Sequence, residues 1–364
     1  MRIAYICGTT SWGGLEMNQA KNAQWMKEKG HSVWAFCLAD SPFHDYCVAQ
    51  GIPVVLIPKH KKYYDFNAAK QLRKQLNHLN IEHLILRDVR DMSVSVAAKF
   101  WGKAHFKVHY FMEMQLGVSK RNLLHTIRFR QLDTWSCPLE WLKTQVLEKT
   151  RMPKNKVIVI PSGINRAPFT ANLSKSTART LLSLPEDKLI IGLAGRFDPQ
   201  KGQLLLLEAL QQAEQKEIIV LFLGEPTVNE GHQYTLAMEE FIAAHRLSER
   251  VFIRPFRKDI EVFYKAIDAF VMASKAETVG MVTIEALASG TTVIGSNAGG
   301  TIELLHNGKL GYLFETLNPS SLAQAIDEFV HQPNKWSGKT LSESTLKFDH
   351  QHVIALVEER LKGN

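Results

Sequence analysis

Short apolar runs alternate with amphipathic stretches along the whole of this 364-residue chain. In the first part, strand patterns at 3–7, 32–38, 54–57, 83–86, 107–112, 135–137 and 157–160 are separated by helical patterns at 15–29, 42–50, 68–79, 93–100, 122–132 and 139–150. Several runs are apolar at consecutive positions, the pattern of a strand with both faces covered. The rhythm stops at Pro161-Ser162-Gly163-Ile164-Asn165, and a polar stretch, 166–176, follows with no predicted element. It resumes with strands at 189–194, 218–223, 251–254, 269–272, 292–295 and 311–314. Helical patterns at 203–215, 233–244, 260–264, 282–288, 301–305 and 320–332 lie between and after them. Two more, 337–346 and 351–362, close the chain. This alternation predicts parallel, doubly wound sheets. Two such halves predict two α/β domains, residues 1–165 and 166–345, and a last helical segment, 346–364. Ligand sites are expected outside the carboxyl ends of the strands.

Composition narrows the class. With 45% hydrophobic and 22% charged residues the chain can bury a large core, so disorder and coiled coil are excluded. No apolar run reaches the roughly 20 residues of a membrane span, and the first residues read as a strand rather than a secretory leader. The four cysteines, Cys7, Cys37, Cys47 and Cys137, show no CxxC or metal-ligand spacing. They are expected to be buried thiols in a reducing compartment. The net charge of +8 is uneven. Residues 1–165 carry 24 Lys and Arg against 12 Asp and Glu, a net of +12; the remainder carries 20 against 24, a net of −4. Nucleic acid, anionic lipid and a phosphorylated small molecule all fit such an asymmetry.

Three segments carry candidate chemistry. Gly8-Thr9-Thr10-Ser11-Trp12-Gly13-Gly14 follows the first strand and opens a helix. Its glycines permit close backbone approach, and a helix N-terminus favours an anion. The spacing is not GxGxxG, so a dinucleotide site is not indicated, and a plain tight turn also fits. Gly195-Arg196-Phe197-Asp198-Pro199-Gln200-Lys201-Gly202 follows the first strand of the second half. Arg196 offers a planar fork and Lys201 a point charge, a pair able to clamp a diphosphate; two solvated surface charges are the alternative. In the third, Glu277 in a loop and Glu285 within a helix flank Thr278-Val279-Gly280-Met281-Val282. There backbone N–H groups and a helix N-terminus could receive a phosphate. Glu285 could accept from two ribose hydroxyls, or could simply face solvent on an amphipathic helix.

Together these segments resemble the retaining glycosyltransferases of GT-B fold, the glycogen-synthase-like class called family 4. Glu277-x7-Glu285 matches its E-x7-E motif, and Gly195-Arg196 with Lys201-Gly202 its donor-phosphate motif. Asn297-Ala298-Gly299-Gly300-Thr301-Ile302-Glu303 matches the following glycine loop, and Gly13-Gly14 the N-terminal one. The resemblance implies two Rossmann-like domains facing a central cleft. It implies a nucleoside-diphosphate-sugar donor, a UDP-sugar foremost, with no metal and no other cofactor. Arg196 and Lys201 would neutralise the diphosphate, Glu285 hold the ribose and Glu277 contact the sugar. Thr278 to Val282 would supply backbone N–H groups, Phe256 and Arg257 would meet the base, and Gly13 and Gly14 would close on the phosphates. Two departures stand out. Where family members commonly carry a His at a strand end, this chain has Met112-Glu113-Met114, so that Glu113, or His109 nearby, would take its place. Pro255 replaces the usual glycine of the base-contacting loop.

In this fold the N-terminal domain takes the acceptor. Its basic, aromatic-bearing stretches are Lys59-His60-Lys61-Lys62-Tyr63-Tyr64, then Lys70, Arg73 and Lys74, then Lys120, Arg121, Arg128 and Arg130 around Phe129. They suit a glycan, lipid-linked or lipopolysaccharide-type acceptor at the inner face of a cytoplasmic membrane; solvated lysines without a partner are the alternative. No nucleic-acid motif accompanies the charge. The expectation is therefore a cytoplasmic, peripherally membrane-associated hexosyltransferase. Competing expectations are a catalytically idle sugar-nucleotide-binding protein, suggested by the absent His, and a GT-B UDP-sugar epimerase.

Overall fold

The computed structural model describes residues 1–63, 65–100, 104–226 and 231–363; Tyr64 of the basic stretch lies outside them. The chain divides into two compact units, Met1–Gly163 with His350–Asn364, and Ile164–Asp349. The expected boundaries shift slightly. Ile164, Asn165 and residues 346–349 join the second unit because its first and last residues are tied together. Ile164 pairs with Asp349 in an isolated parallel bridge, and the Ile164 N–H donates to the Phe348 carbonyl at 2.8 Å.

The first unit holds a seven-stranded sheet: β1 (Arg2–Cys7), β2 (Ser32–Cys37), β3 (Val54–Leu56), β4 (His83–Leu86), β5 (Lys107–Phe111), β6 (Thr134–Cys137) and β7 (Val157–Val159). The second holds six strands: β8 (Ile190–Ala194), β9 (Ile219–Leu223), β10 (Val251–Arg254), β11 (Ala269–Met272), β12 (Thr292–Ser296) and β13 (Tyr312–Phe314). The orders are β3-β2-β1-β4-β5-β6-β7 and β10-β9-β8-β11-β12-β13, and every pair is parallel. Each sheet therefore winds one way, returns to its first strand and winds the other, the doubly wound Rossmann topology predicted above. The reversal leaves a crevice at the carboxyl edge between β1 and β4 and between β8 and β11.

The central strands are buried along their length, so β1, β4, β8, β9 and β11 read as continuous apolar runs. The last helix, His350–Lys362, presents Val353, Ile354, Val357 and Leu361 at helical spacing into the core of the first unit. Gly163 lies under its start, where a Cβ would come within 3.3 Å of the His350 Cα.

The polar stretch 166–176 contains more order than expected. It forms the short helix Ala167–Thr170 and the first two residues of Lys175–Leu181, whose Ser174 caps the Thr177 N–H at 3.1 Å. The second helix docks through a charge rather than an apolar stripe. Arg179 is 3% exposed and donates to the Ala266 carbonyl and, at 2.8 Å, to Asp268. The same carboxylate oxygen accepts the Ile190 N–H at 2.7 Å, at the start of β8. Removing one partner of a buried pair leaves the other uncompensated. Asp268→Ala is expected to destabilise the second unit by about 3 kcal/mol, read as a lower urea midpoint, whereas Asp268→Asn, which keeps an acceptor for Ile190, should cost less. Equal midpoints for wild type and Asp268→Ala would remove this anchor.

Candidate active site

In the second unit the carboxyl edge is shaped by loops that only small residues permit. Gly202 has φ +79°, and a Cβ there would lie 2.5 Å from the Ala273 carbonyl oxygen at the end of β11. The loop after β8 is thereby pressed across the reversal onto the segment after β11, and the Lys275 N–H donates to the Gln200 carbonyl at 3.1 Å. Gly299 has φ +57°, and a Cβ there would lie 2.1 Å from the Glu277 main-chain carbonyl oxygen, while the Gly300 N–H donates to that carbonyl at 2.9 Å. The loops after β8, β11 and β12 thus converge on Glu277.

There the Lys201 ammonium lies 3.0 Å from a Glu277 carboxylate oxygen, with both side chains partly exposed. Lys201 sits on a single 3-10 turn, Pro199–Lys201, capped by Asp198. Arg196, on the same loop, is exposed, and its guanidinium makes no hydrogen bond or ion pair among the described residues. Thr278 is half-buried and Val279 and Gly280 are buried; Gly280, at φ +83°, is the N-cap of helix Met281–Ala288 without a side-chain cap bond. The first amides of that helix, Met281 and Val282 included, have no carbonyl of their own turn to bond. Glu285 stands one turn in. The buried Tyr264 hydroxyl donates to its carboxylate at 3.0 Å. Burial and the adjacent Glu285 push the Tyr264 hydroxyl far up, so it stays a donor and orients the carboxylate. Phe256 is 63% exposed after β10, and Arg257 beside it is paired with Asp259 at 2.6 Å.

Gly13, Gly14 and Glu113 lie in the first unit. Gly13 is the N-cap of helix Gly14–Glu28, and its N–H donates to Glu16 at 2.9 Å. A Cβ at Gly14 would meet nothing within 4 Å, so that position is open. Glu113 follows β5 at the carboxyl edge, but its carboxylate is enclosed: it pairs with Arg87, accepts from Ser162 at 3.2 Å and from Asn18 at 3.3 Å, and is 6% exposed. It ties four segments together. His109, the other expected substitute for the missing His, does not reach this edge. It lies within β5, 2% exposed, with its Nε2 3.1 Å from the His83 Nδ1.

A constellation not anticipated from the sequence occupies the reversal in the first unit. Asp91, after β4, is 1% exposed, and both its carboxylate oxygens lie 3.2 Å from the Gly8 N–H at the end of β1. His60, from the loop after β3, reaches the same carboxylate at 2.9 Å. A Cβ at Gly8 would lie 2.5 Å from Asp91 and 2.6 Å from the His60 Nε2, so only glycine fits this latch. Next to it Asp88 accepts from the Arg90 N–H and Nε, both at 2.7 Å. The available signal was the dense charge of Arg87-Asp88-Val89-Arg90-Asp91 directly after an apolar strand.

Burial alone would lower the His60 pKa, but the hydrogen bond and charge of Asp91 outweigh it and raise it. Burial raises Asp91, partly offset by His60. A histidine raised in the folded state adds stability that is fully present below its unfolded value of about 6.5 and is lost as pH rises through the folded value. His83 shows the opposite case: burial lowers it to about 4, so stability is lost as pH falls below about 6.5. Urea midpoints of wild type are therefore expected to decline from pH 6.5 upward, and His60→Gln should flatten that limb. Parallel profiles on the alkaline side would remove the latch.

Residues 174–341 match the family of glycosyl transferases group 1. A D-inositol 3-phosphate glycosyltransferase of Streptomyces scabiei is 29% identical over 188 residues, 50% of this chain and 42% of that protein. A lipopolysaccharide 1,2-N-acetylglucosaminetransferase of Salmonella typhimurium is 26% identical over 235 residues, 62% of this chain and 61% of that one. The matched stretches thus span less than two thirds of each of these relatives. Over nearly full length, a glycosyltransferase structure from Rickettsia africae superposes with TM-score 0.87 at 22% identity, covering 99% of this chain and 97% of that one. Anabaena HepE in complex with UDP gives 0.87 at 20%, covering 100% of both chains. The chain has the two-sheet GT-B fold, and the stretch bearing Arg196, Lys201, Glu277 and Glu285 is the one that matches the glycosyl transferases group 1 model.

Proposed function

We propose that this chain is a retaining hexosyltransferase. It moves a sugar from a nucleoside-diphosphate donor, a UDP-sugar, to an anionic glycan, lipid-linked or lipopolysaccharide-type acceptor without a metal. The observation that carries the proposal is the Lys201–Glu277 contact at the β8/β11 reversal. It sets a cation, an exposed Arg196 and the uncapped start of helix Met281–Ala288 around one edge of the sheet. The UDP complex of the structurally similar HepE supports a uridine nucleotide. The relatives named for inositol phosphate and lipopolysaccharide support an anionic acceptor, as does the net +12 of residues 1–165.

In this reading Arg196 and Lys201 stabilise the charge that develops on the departing diphosphate, the main electrostatic demand of the reaction. The bond from the sugar C1 to the phosphate oxygen breaks as the acceptor oxygen bonds C1 on the same face, and the acceptor proton passes to the leaving phosphate. Glu277, engaged by Lys201, orients the cation and contacts the sugar; it is not the nucleophile of a two-carboxylate glycosidase scheme. Glu285, oriented by Tyr264, holds the ribose. Phe256 and Arg257 meet the base, and Gly13 and Gly14 approach the phosphates. Peripheral attachment to the inner face of a cytoplasmic membrane through the basic unit belongs to the same proposal. No helix among the described residues is long and apolar enough to cross a membrane.

Lys201→Ala is expected to lower kcat by roughly a hundred- to a thousand-fold, and Glu285→Ala to abolish the thermal shift with UDP-glucose, with both folds intact by circular dichroism. Full turnover by both variants sinks the proposal. UDP-sugar binding without nucleotide release across an acceptor panel would instead favour the idle binding protein, and an epimerised sugar product the epimerase.

A further inference from the structure

A pocket of about 340 Å³ opens in the first unit beside helices Phe66–His78, Met92–Ala97 and Leu123–Arg130. Its apolar wall includes Phe66, Val96, Phe100, Leu124 and Ile127. Four of these are large side chains that remain 48% (Ile127) to 63% (Leu124) exposed. Scattered exposed apolar residues are ordinary, but several lining one pocket mark a place where apolar matter is received.

The mouth has the opposite chemistry. Arg128 lines it, donating to Ser93 at 3.1 Å and contacting His125 at 3.2 Å, with its guanidinium 5.1 Å from the Tyr63 ring centre. The Lys62 ammonium also lies 5.5 Å from the ring centre of Tyr63, which lines the pocket, and His125 is lowered by burial and then by Arg128. No acidic side chain is among the described residues that line the pocket. A neutral hydrocarbon would have no use for the cations, and a free phosphate would have none for the wall. An amphiphile with one hydrocarbon chain beneath a phosphate complements both.

We propose that this pocket receives the hydrocarbon chain of a lipid-linked acceptor, with its phosphate on Arg128. The inference rests on the transfer reaction proposed above and assigns the lipid end of its acceptor. Neither the donor segments nor the His60–Asp91 latch lines the pocket.

The test uses the full chain and monomeric alkyl phosphates below their micellar concentrations, followed by calorimetry. Affinity is expected to rise about fourfold per methylene from hexyl to decyl phosphate, the increment for burying one CH₂, at one molecule per chain. Octanol should bind at least tenfold more weakly than octyl phosphate. Ile127→Asp should abolish the dependence on chain length, and Arg128→Gln the preference for phosphate. Decyl phosphate should raise the acceptor KM and leave the donor KM unchanged. Affinity independent of chain length, or unchanged in Ile127→Asp, overturns the proposal. So does sedimentation with anionic vesicles without any binding of monomers, which would make this face a bilayer contact. The UDP-glucose thermal shift reads the donor site separately: if it is absent while decyl phosphate binds, the transfer reading fails and the pocket stands. If it is present in Ile127→Asp, that variant is folded.

Discussion

The winding reversal in each sheet is the constraint on which the remaining features depend. Where strand order turns back on the first strand, neighbouring loops leave the sheet in opposite directions and a crevice opens between them. The open edge must be held by specific contacts or the loops would wander. In the second unit Gly202 against Ala273, Gly299 against Glu277 and the Lys201–Glu277 pair do this. In the first unit the Asp91 carboxylate on the Gly8 amide, backed by His60, spans the equivalent place. Both closures bring a carboxylate to a glycine-bearing loop. They differ in burial: Asp91 is sealed, while Lys201 and Glu277 remain partly open to solvent.

That difference separates scaffold from chemistry. The enclosed pair Arg87–Glu113 has its charge directed at neighbouring segments and positions elements. A partly exposed pair can exchange its partner for an incoming phosphate or hydroxyl at little cost, because solvent already screens it. Bulk charge has no part in this, since the unit with Arg196 and Lys201 lies in the acidic part of the chain. The basic surplus lies in the other unit, where its clearest local expression is the cationic mouth of the apolar pocket.

The strands and most helices were legible because their burial is two-sided and apolar, a signal that survives without neighbours. The segments proposed for the donor could be singled out for a similar reason: each lies within one stretch of chain at a strand end, so its residues could be read together. The helix Lys175–Leu181 was not, because its anchor is a buried arginine whose partner lies 89 residues away. The His60–Asp91 latch was missed on the same ground, its members being 31 residues apart and coming from different strand ends. Glu113 was picked out by its place at a strand end, but its enclosure by Arg87, Asn18 and Ser162 could not be read from position.

Apolar periodicity by itself determined that this chain builds two parallel sheets, and local glycine, basic and acidic patterns determined which loops are proposed to bear the donor chemistry. Both are properties of contiguous residues. Tertiary structure decided which charges face each other, which imidazole is sealed against its strand neighbour and which against a glycine loop, and that apolar side chains from three helices share one cation-rimmed pocket. Those outcomes depend on distances between segments far apart in the chain, and the energy of a charge depends on its burial and on what lies within a few ångströms of it. Neither quantity exists until the sheet has folded.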